Sequence, residues 1–217
     1  MNQTTRTSLQ EAPSQLMGVL GIMGCAALNN LRDVAQALGR HDFAGLSRVA
    51  ERNAKQSRLR AEIEEQVVGE MFRMSVGTRD GRKLILTSQA ALMFERMGAR
   101  TVELSELCRL IIRDPRPSRT TEIKKLIEHA VFIADKAATA LVKEDLMTAK
   151  AALEQKRAAV ELNVRIRLHL ASPAANGEDG AVRAGILGQI ACKAHGMIED
   201  AGQLAADIII FLEKAEL

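Results

Sequence analysis

The chain has 217 residues, with no Trp, no Tyr and five Phe, and its 30 Lys plus Arg against 27 Asp plus Glu leave a formal charge of +3. Rings are too few for base-stacking platforms, methyl-lysine cages or proline-ligand grooves, the charge is too mild for a nucleic-acid footprint, and strand-rich folds favour the aromatic residues missing here. The composition predicts a soluble, mostly helical protein with no nucleic-acid partner and an aliphatic core of Ala, Leu, Ile, Val and nine Met.

In chain order, residues 1–12 read as a disordered tail, and Pro13 suits the first turn of a helix, where its missing N–H costs nothing. The apolar run from Leu16 to Leu28 has thirteen residues, too short to span a membrane, and Glu11 interrupts a leader-peptide reading. Within it, Gly18, Gly21 and Gly24 imitate a close-packing helix face. The chain breaks at Gly39–Asp42, with Asp42 an N-cap by type and position. A second segment carries an apolar stripe at helical spacing: Leu46, Val49, Ala50, Leu59, Ile63 and Val67. After a break near Ser75–Gly77 a third segment runs to Arg113. Pro115 and Pro117 cannot sit inside a helix, so 114–119 is a linker. The fourth segment repeats the stripe with Ile123, Leu126, Ile127, Ala130, Ile133, Ala134, Ala137 and Leu141. A break at Val142–Asp145 makes Asp145 a second N-cap, and Ser172–Gly180 is a loop that separates the fifth segment from the sixth. Helices of about 30 residues are about 45 Å long, and short connections between them imply antiparallel bundles.

An internal repeat decides the architecture. A shift of 103 residues pairs Ala27 with Ala130, Leu38 with Leu141, Asp42 with Asp145, Leu59 with Leu162 and Ile63 with Ile166. One residue more pairs Ala90 with Ala194, Met93 with Met197, Glu95 with Glu199 and Gly98 with Gly202. The fold predicted is all-α: two tandem three-helix bundles, six long helices in all, over 13–113 and 120–217.

The third segment, Asp80-Gly81-Arg82 leading to Phe94-Glu95-Arg96-Met97-Gly98, resembles the third helix of the PhoU family of phosphate-uptake regulators. The second copy keeps Glu199 and Gly202 and ends in the apolar Ile208–Leu212, and Ala50-Glu51-Arg52-Asn53 with Leu59 and Ile63 is similar to the family's second helix. The resemblance covers the chain from about Pro13 and implies two three-helix bundles related by approximate twofold symmetry, in agreement with the repeat. It also implies a cytoplasmic homodimer that contacts a phosphate ABC transporter and a sensor histidine kinase and holds the phosphate response off. Alternatives are an accessory module of a sodium–phosphate symporter, or a metal-binding helical bundle.

The metal alternative follows from the family's acidic rows at i, i+4 and i+8, which place oxygens on one helix face. Here the rows read Glu95, Ala99, Glu103 and Glu199, Gln203, Asp207, with the central acid absent from both. Asn53 and Lys156 stand where the second helix usually has an acid. If Fe, Mn, Zn, Ni or Mg binds, Glu95, Glu103, Glu199 and Asp207 are its ligands. The plainer expectation is solvated carboxylates partnered by Arg96 or Lys. Gly98 and Gly202 are expected to admit a neighbouring helix.

No P-loop, dinucleotide fingerprint, nucleophile elbow or HExxH is present, so no catalytic residues are assigned and the chain reads as a non-enzyme. His41, His129, His169 and His195 lack ligand spacing. Cys25, Cys108 and Cys192 suit buried thiols in a reducing cytoplasm, and the Met residues, including Met17, Met23, Met71, Met74, Met93 and Met97, suit core filling. The clusters Arg79/Arg82/Lys83 and Arg113/Arg116/Arg119 are candidates for an acidic partner or phosphate.

Overall fold

Apolar residues at three- and four-residue spacing bury one stripe of a helix, and six such stretches fold as helices in the computed structural model. It describes the backbone of residues 3–40, 42–73, 77–113, 120–171 and 178–213, and the side chains of those stretches apart from 3–14, 178 and 179. Among the described residues the helices are α1 (Gln3–Arg40), α2 (Val49–Met71), α3 (Arg79–Ile112), α4 (Thr120–Lys143), α5 (Leu146–Leu170) and α6 (Glu178–Glu213), with a 3-10 turn at Ala44–Leu46. The 114–119 linker, His41, Met74 and most of the loop after Ser172 lie outside the described residues. One boundary differs from expectation. Helix α1 starts at Gln3 rather than at Pro13, so 3–12 are helical where a disordered tail was expected. No Gly or second Pro interrupts that stretch, and the helical backbone continues through Pro13.

The two copies turn their first corner alike. Asp42 N–H donates to Ala37 O, and Asp145 N–H to Ala140 O, both at 3.1 Å and both spanning five residues, a closure found at helix C-termini. Each aspartate Oδ1 then accepts from the N–H two residues on, Ala44 and Met147. Beyond that the copies diverge. Asp145 also accepts from Thr148 N–H and Oγ1 and caps α5 directly, as expected. Asp42 does not cap α2, whose N-cap is Arg48. Where the second copy has Thr148 the first has Gly45, a poor helix former, and the chain makes a 3-10 turn before α2 begins.

Helices α1, α2 and α3 pack together, as do α4, α5 and α6, and the two bundles join through α1 against α4 and α3 against α6. Both joining pairs are antiparallel. Arg32 faces Asp135 across α1 and α4 while Gly39 lies against Lys124; Arg79 sits over the Phe211 ring at one end of the α3/α6 pair and Arg100 meets Asp200 further along. The four joining helices form the centre, with α2 and α5 outside, around one continuous aliphatic core. The fourth-segment stripe is buried throughout. In α2 the buried positions Val49, Gln56, Ile63 and Glu70 stand seven residues apart, with Val67 beside them, and Ala50 is exposed; Gln56 Nε2 donates to Met23 O of α1 at 3.1 Å.

Small and sulfur-bearing residues partly depart from expectation. Met23, Met93, Met97 and Met197 fill the core and Met17 and Met71 pack against it, but Met147 is 72% exposed. Only Cys108 is a buried thiol, its pKa pushed up to about 12 by burial; Cys25 and Cys192 lie at the surface. Of Gly18, Gly21 and Gly24, only Gly24 is closely packed: a Cβ there would lie 2.8 Å from Phe94 Cζ, whereas Gly18 and Gly21 have nothing within 4 Å. Gly18→Ala is therefore expected to stabilise the protein by up to about 1 kcal/mol through helix propensity. Gly24→Ala presses on a ring with 0% exposure, and overpacking costs of roughly 1–3 kcal/mol outweigh that gain. Urea unfolding midpoints should move up for the first and down for the second.

Candidate functional site along the third and sixth helices

Seven residues are two helical turns, so Arg82, Gln89, Arg96 and Glu103 line up along one face of α3. Across the seam, α6 presents Asp200, Gln203 and Asp207. Between Arg82 and Arg96 the helices leave two adjoining clefts of about 230 and 150 Å³ that share Gln89 and Asp207. Their α3 wall carries Arg82 and Arg96 and their α6 wall Asp200 and Asp207, over a floor of Leu86, Met93, Leu204 and Phe211. Beyond the clefts the seam is closed by ion pairs. Arg100 Nη1 meets Asp200 Oδ2 at 2.5 Å, Arg96 approaches the same carboxylate at 3.9 Å, and Lys193 pairs with Glu103.

The four candidate metal ligands are not brought together. Glu95 is held by Arg60 of α2 at 2.6 Å, Glu103 by Lys193 of the other bundle, and Glu199 by Lys156 of α5 at 2.8 Å, with His195 Nε2 at 3.8 Å. Asp207 accepts from Gln203 Nε2 at 2.9 Å. Arg96, expected beside these carboxylates, instead faces Asp200. Among the described residues no three His, Cys, Asp or Glu side chains converge as metal ligands. The donor set does not fit a metal: each glutamate of the rows already has a cation, and a hard ion needs several negative oxygens to replace its hydration. Gly98 and Gly202 do admit a neighbour, as expected: a Cβ at either would collide with Asn53 of α2 or Lys156 of α5. The described histidines sit apart, His129 beside Gln155 with its pKa lowered chiefly by burial and His169 exposed.

The basic cluster opening α3 is engaged within the chain. Arg79 Nη2 and Lys83 Nζ each donate to Glu144 at 2.5 Å, tying the start of α3 to the α4–α5 corner of the other bundle. Glu144 holds φ at 53°, a conformation that costs a residue with a side chain about 1–2 kcal/mol. Arg113 is exposed, and Arg116 and Arg119 lie outside the described residues. Glu144, Arg100, Asp200 and Lys193 were not singled out from the sequence, because their partners are 61 to 100 residues away. One signal was present: a glutamate where a helix end of this kind favours glycine.

These features define a class, an internally duplicated helical protein whose two three-helix bundles join through their first and third helices. Solved structures of PhoU share it. The crystal structure of PhoU from Pseudomonas aeruginosa matches with a TM-score of 0.88 at 15% identity, over 94% of this chain and 99% of that one. The phosphate transport system regulatory protein PhoU from Streptococcus pneumoniae matches with a TM-score of 0.80 at 12% identity, over 98% of each chain. No family model and no curated protein matches the sequence. The chain therefore has the PhoU fold, in agreement with the resemblance of its third helices.

Hydrogen bonds from Lys83 and then Arg79 hold the Glu144 carboxyl below its ordinary range. A carboxyl whose pKa falls on folding contributes stability that is complete above its unfolded pKa and is lost as pH falls through the folded value. Glu144→Gln is thus expected to lower stability by about 1 kcal/mol or less at neutral pH, as for part-exposed pairs. Denaturation at a series of pH values should show that difference shrinking as pH drops below about 4.

Proposed function

We propose that this chain regulates phosphate uptake and phosphate signalling by protein–protein contact, engaging a phosphate ABC transporter and a sensor histidine kinase at their cytoplasmic surfaces as a homodimer. The observation that carries the reading is the end-to-end match to PhoU structures, one of them a phosphate transport system regulatory protein. A fold hosts more than one function, so the seam supplies the second support. Its clefts pair an apolar floor with walls of opposite charge, a surface suited to reading a partner by electrostatic complementarity, and the regulation needs no reaction at this chain. Among the described residues no helix is long and apolar enough to cross a membrane.

In phosphate-replete cells, the tagged chain is expected to recover transporter subunits and the kinase, and its deletion to raise a phosphate-starvation reporter several-fold. Recovery of a sodium–phosphate symporter instead would assign the chain to that transporter. Recovery of none of these, with the reporter unmoved, would overturn the proposal. Light scattering checks the dimer, with twice the 23.6 kDa of one chain expected.

A further inference from the structure

The repeat builds the same cradle twice and fills it differently. Glu95 and Glu199 are equivalent under the shift, as are Gly98 and Gly202, and as are Asn53 and Lys156 on the second helix of each bundle. In both bundles that second-helix side chain lies across the glycine one turn beyond the glutamate. In the second bundle it is a cation, and Lys156 Nζ reaches Glu199 Oε2 at 2.8 Å. In the first it is the neutral Asn53, and the charge comes from Arg60, two turns further along α2. Arg60 Nη1 donates to Glu95 at 2.6 Å and Nη2 to Glu64 at 2.5 Å. Each glutamate therefore receives a cation from the second helix of its own bundle, delivered from two different registers. The requirement that reappears is the charge, not the residue.

A metal at either cradle would meet little to hold it. The middle of each row is Ala99 or Gln203, the outer acids are paired or hydrogen-bonded, and Asn53 Oδ1, buried without a hydrogen-bond partner, is a neutral oxygen. A divalent ion beside Glu95 or Glu199 would also be repelled by the guanidinium or ammonium already there. We propose that Arg60 and Lys156 are built-in counter-cations standing where a PhoU-like bundle would bind metal. They pin the second helix to the third by ion pairing, the acidic rows take no metal, and Lys156 is the group that blocks the second one.

The test titrates metal-free protein with Mn²⁺, Fe²⁺, Ni²⁺ and Zn²⁺ by calorimetry, with elemental analysis after dialysis and thermal melts with and without chelator. The wild type is expected to retain no stoichiometric metal and to melt at the same temperature with or without chelator. Lys156→Asp combined with Gln203→Asp restores two carboxylates to the second cradle. This variant is expected to bind at least one of these ions about 100-fold more tightly than the wild type and to melt higher when loaded. Stoichiometric metal in the wild type, or a lowered melting point on chelation that metal reverses, overturns the proposal. So does a double variant that is folded by circular dichroism yet binds no better than the wild type. Should the double variant not fold, the wild-type titration decides whether the rows take metal, and Lys156→Gln, which removes the charge with little change of shape, tests the block: a gain in affinity smaller than that expected of the double variant supports it, and no gain overturns it.

Discussion

Helices α3 and α6 each bury two faces, one against their own bundle and one against each other, and the rest of the molecule follows from that double burial. A helix serving one core needs one stripe, as α2 has with its seven-residue period. In α3 neighbouring residues are buried in pairs, Ala90 with Ala91, Met93 with Phe94, Met97 with Gly98 and Leu104 with Ser105; since successive residues point about 100° apart, such pairs cover a wide arc. Helices packed on two sides approach closely where side chains are small, and Ala194, Ala201 and Ala205 of α6 are wholly buried. Two buried hydroxyls that share this space are satisfied locally: Thr87 and Thr101 donate to carbonyls one turn back. An aliphatic composition poor in rings is what a centre of four closely packed helices admits.

Charge does different work on the same elements. The seam's ion pairs are partly exposed, and such pairs contribute about 0–1 kcal/mol each, so apolar burial supplies the stability. What the pairs supply is register. Asp200 forms ion pairs with two arginines one turn apart on α3, and Lys193 reaches Glu103 of the opposite bundle, so sliding α6 along α3 would break several pairs at once. Glu144 has the same effect at the corner, where two cations from the other bundle hold a backbone conformation that a glutamate seldom adopts. Two bundles fixed in this way present the walls of the clefts at a set spacing.

What could be read from the sequence was whatever repeats within reach of a helical period. The stripe of α4, the capping by Asp145 and the pairing of the two copies are local patterns, and each reappears in the structure. The second copy's corner also exposes the limit of reading by equivalence: Asp42 matches Asp145 in position, yet Gly45 in place of Thr148 removes its role as a helix cap. The candidate site was legible only as a set of rows. That Glu95 shares a face with Glu103, and Glu199 with Asp207, follows from spacing, but the partners Arg60, Lys193 and Lys156 of the three glutamates lie on other helices, and nothing local says which cation reaches which acid. Lys156 was visible as a departure from the family's acidic pattern. Arg60 was not, because it serves its glutamate from two turns away.

The few rings are not where a ring-poor core would place them. Phe94 and Phe211 are buried, but Phe43, Phe72 and Phe132 are 43%, 88% and 40% exposed. An interior that needed rings would claim them first, since a buried aromatic side chain removes 150–250 Å² from water. Here the double burial of α3 and α6 excludes bulk from most of the centre, and Phe94 enters only where Gly24 makes room. Phe72 follows the last residue of α2, outside any apolar stripe, and Phe132 lies on the outer face of α4 with Lys136 over its ring. Aromatic side chains are enriched among the residues that dominate interface energy, so the exposed rings are candidate anchors for the contacts proposed above. The chain keeps most of its rings, and Met147, at the surface, while the core is filled without them.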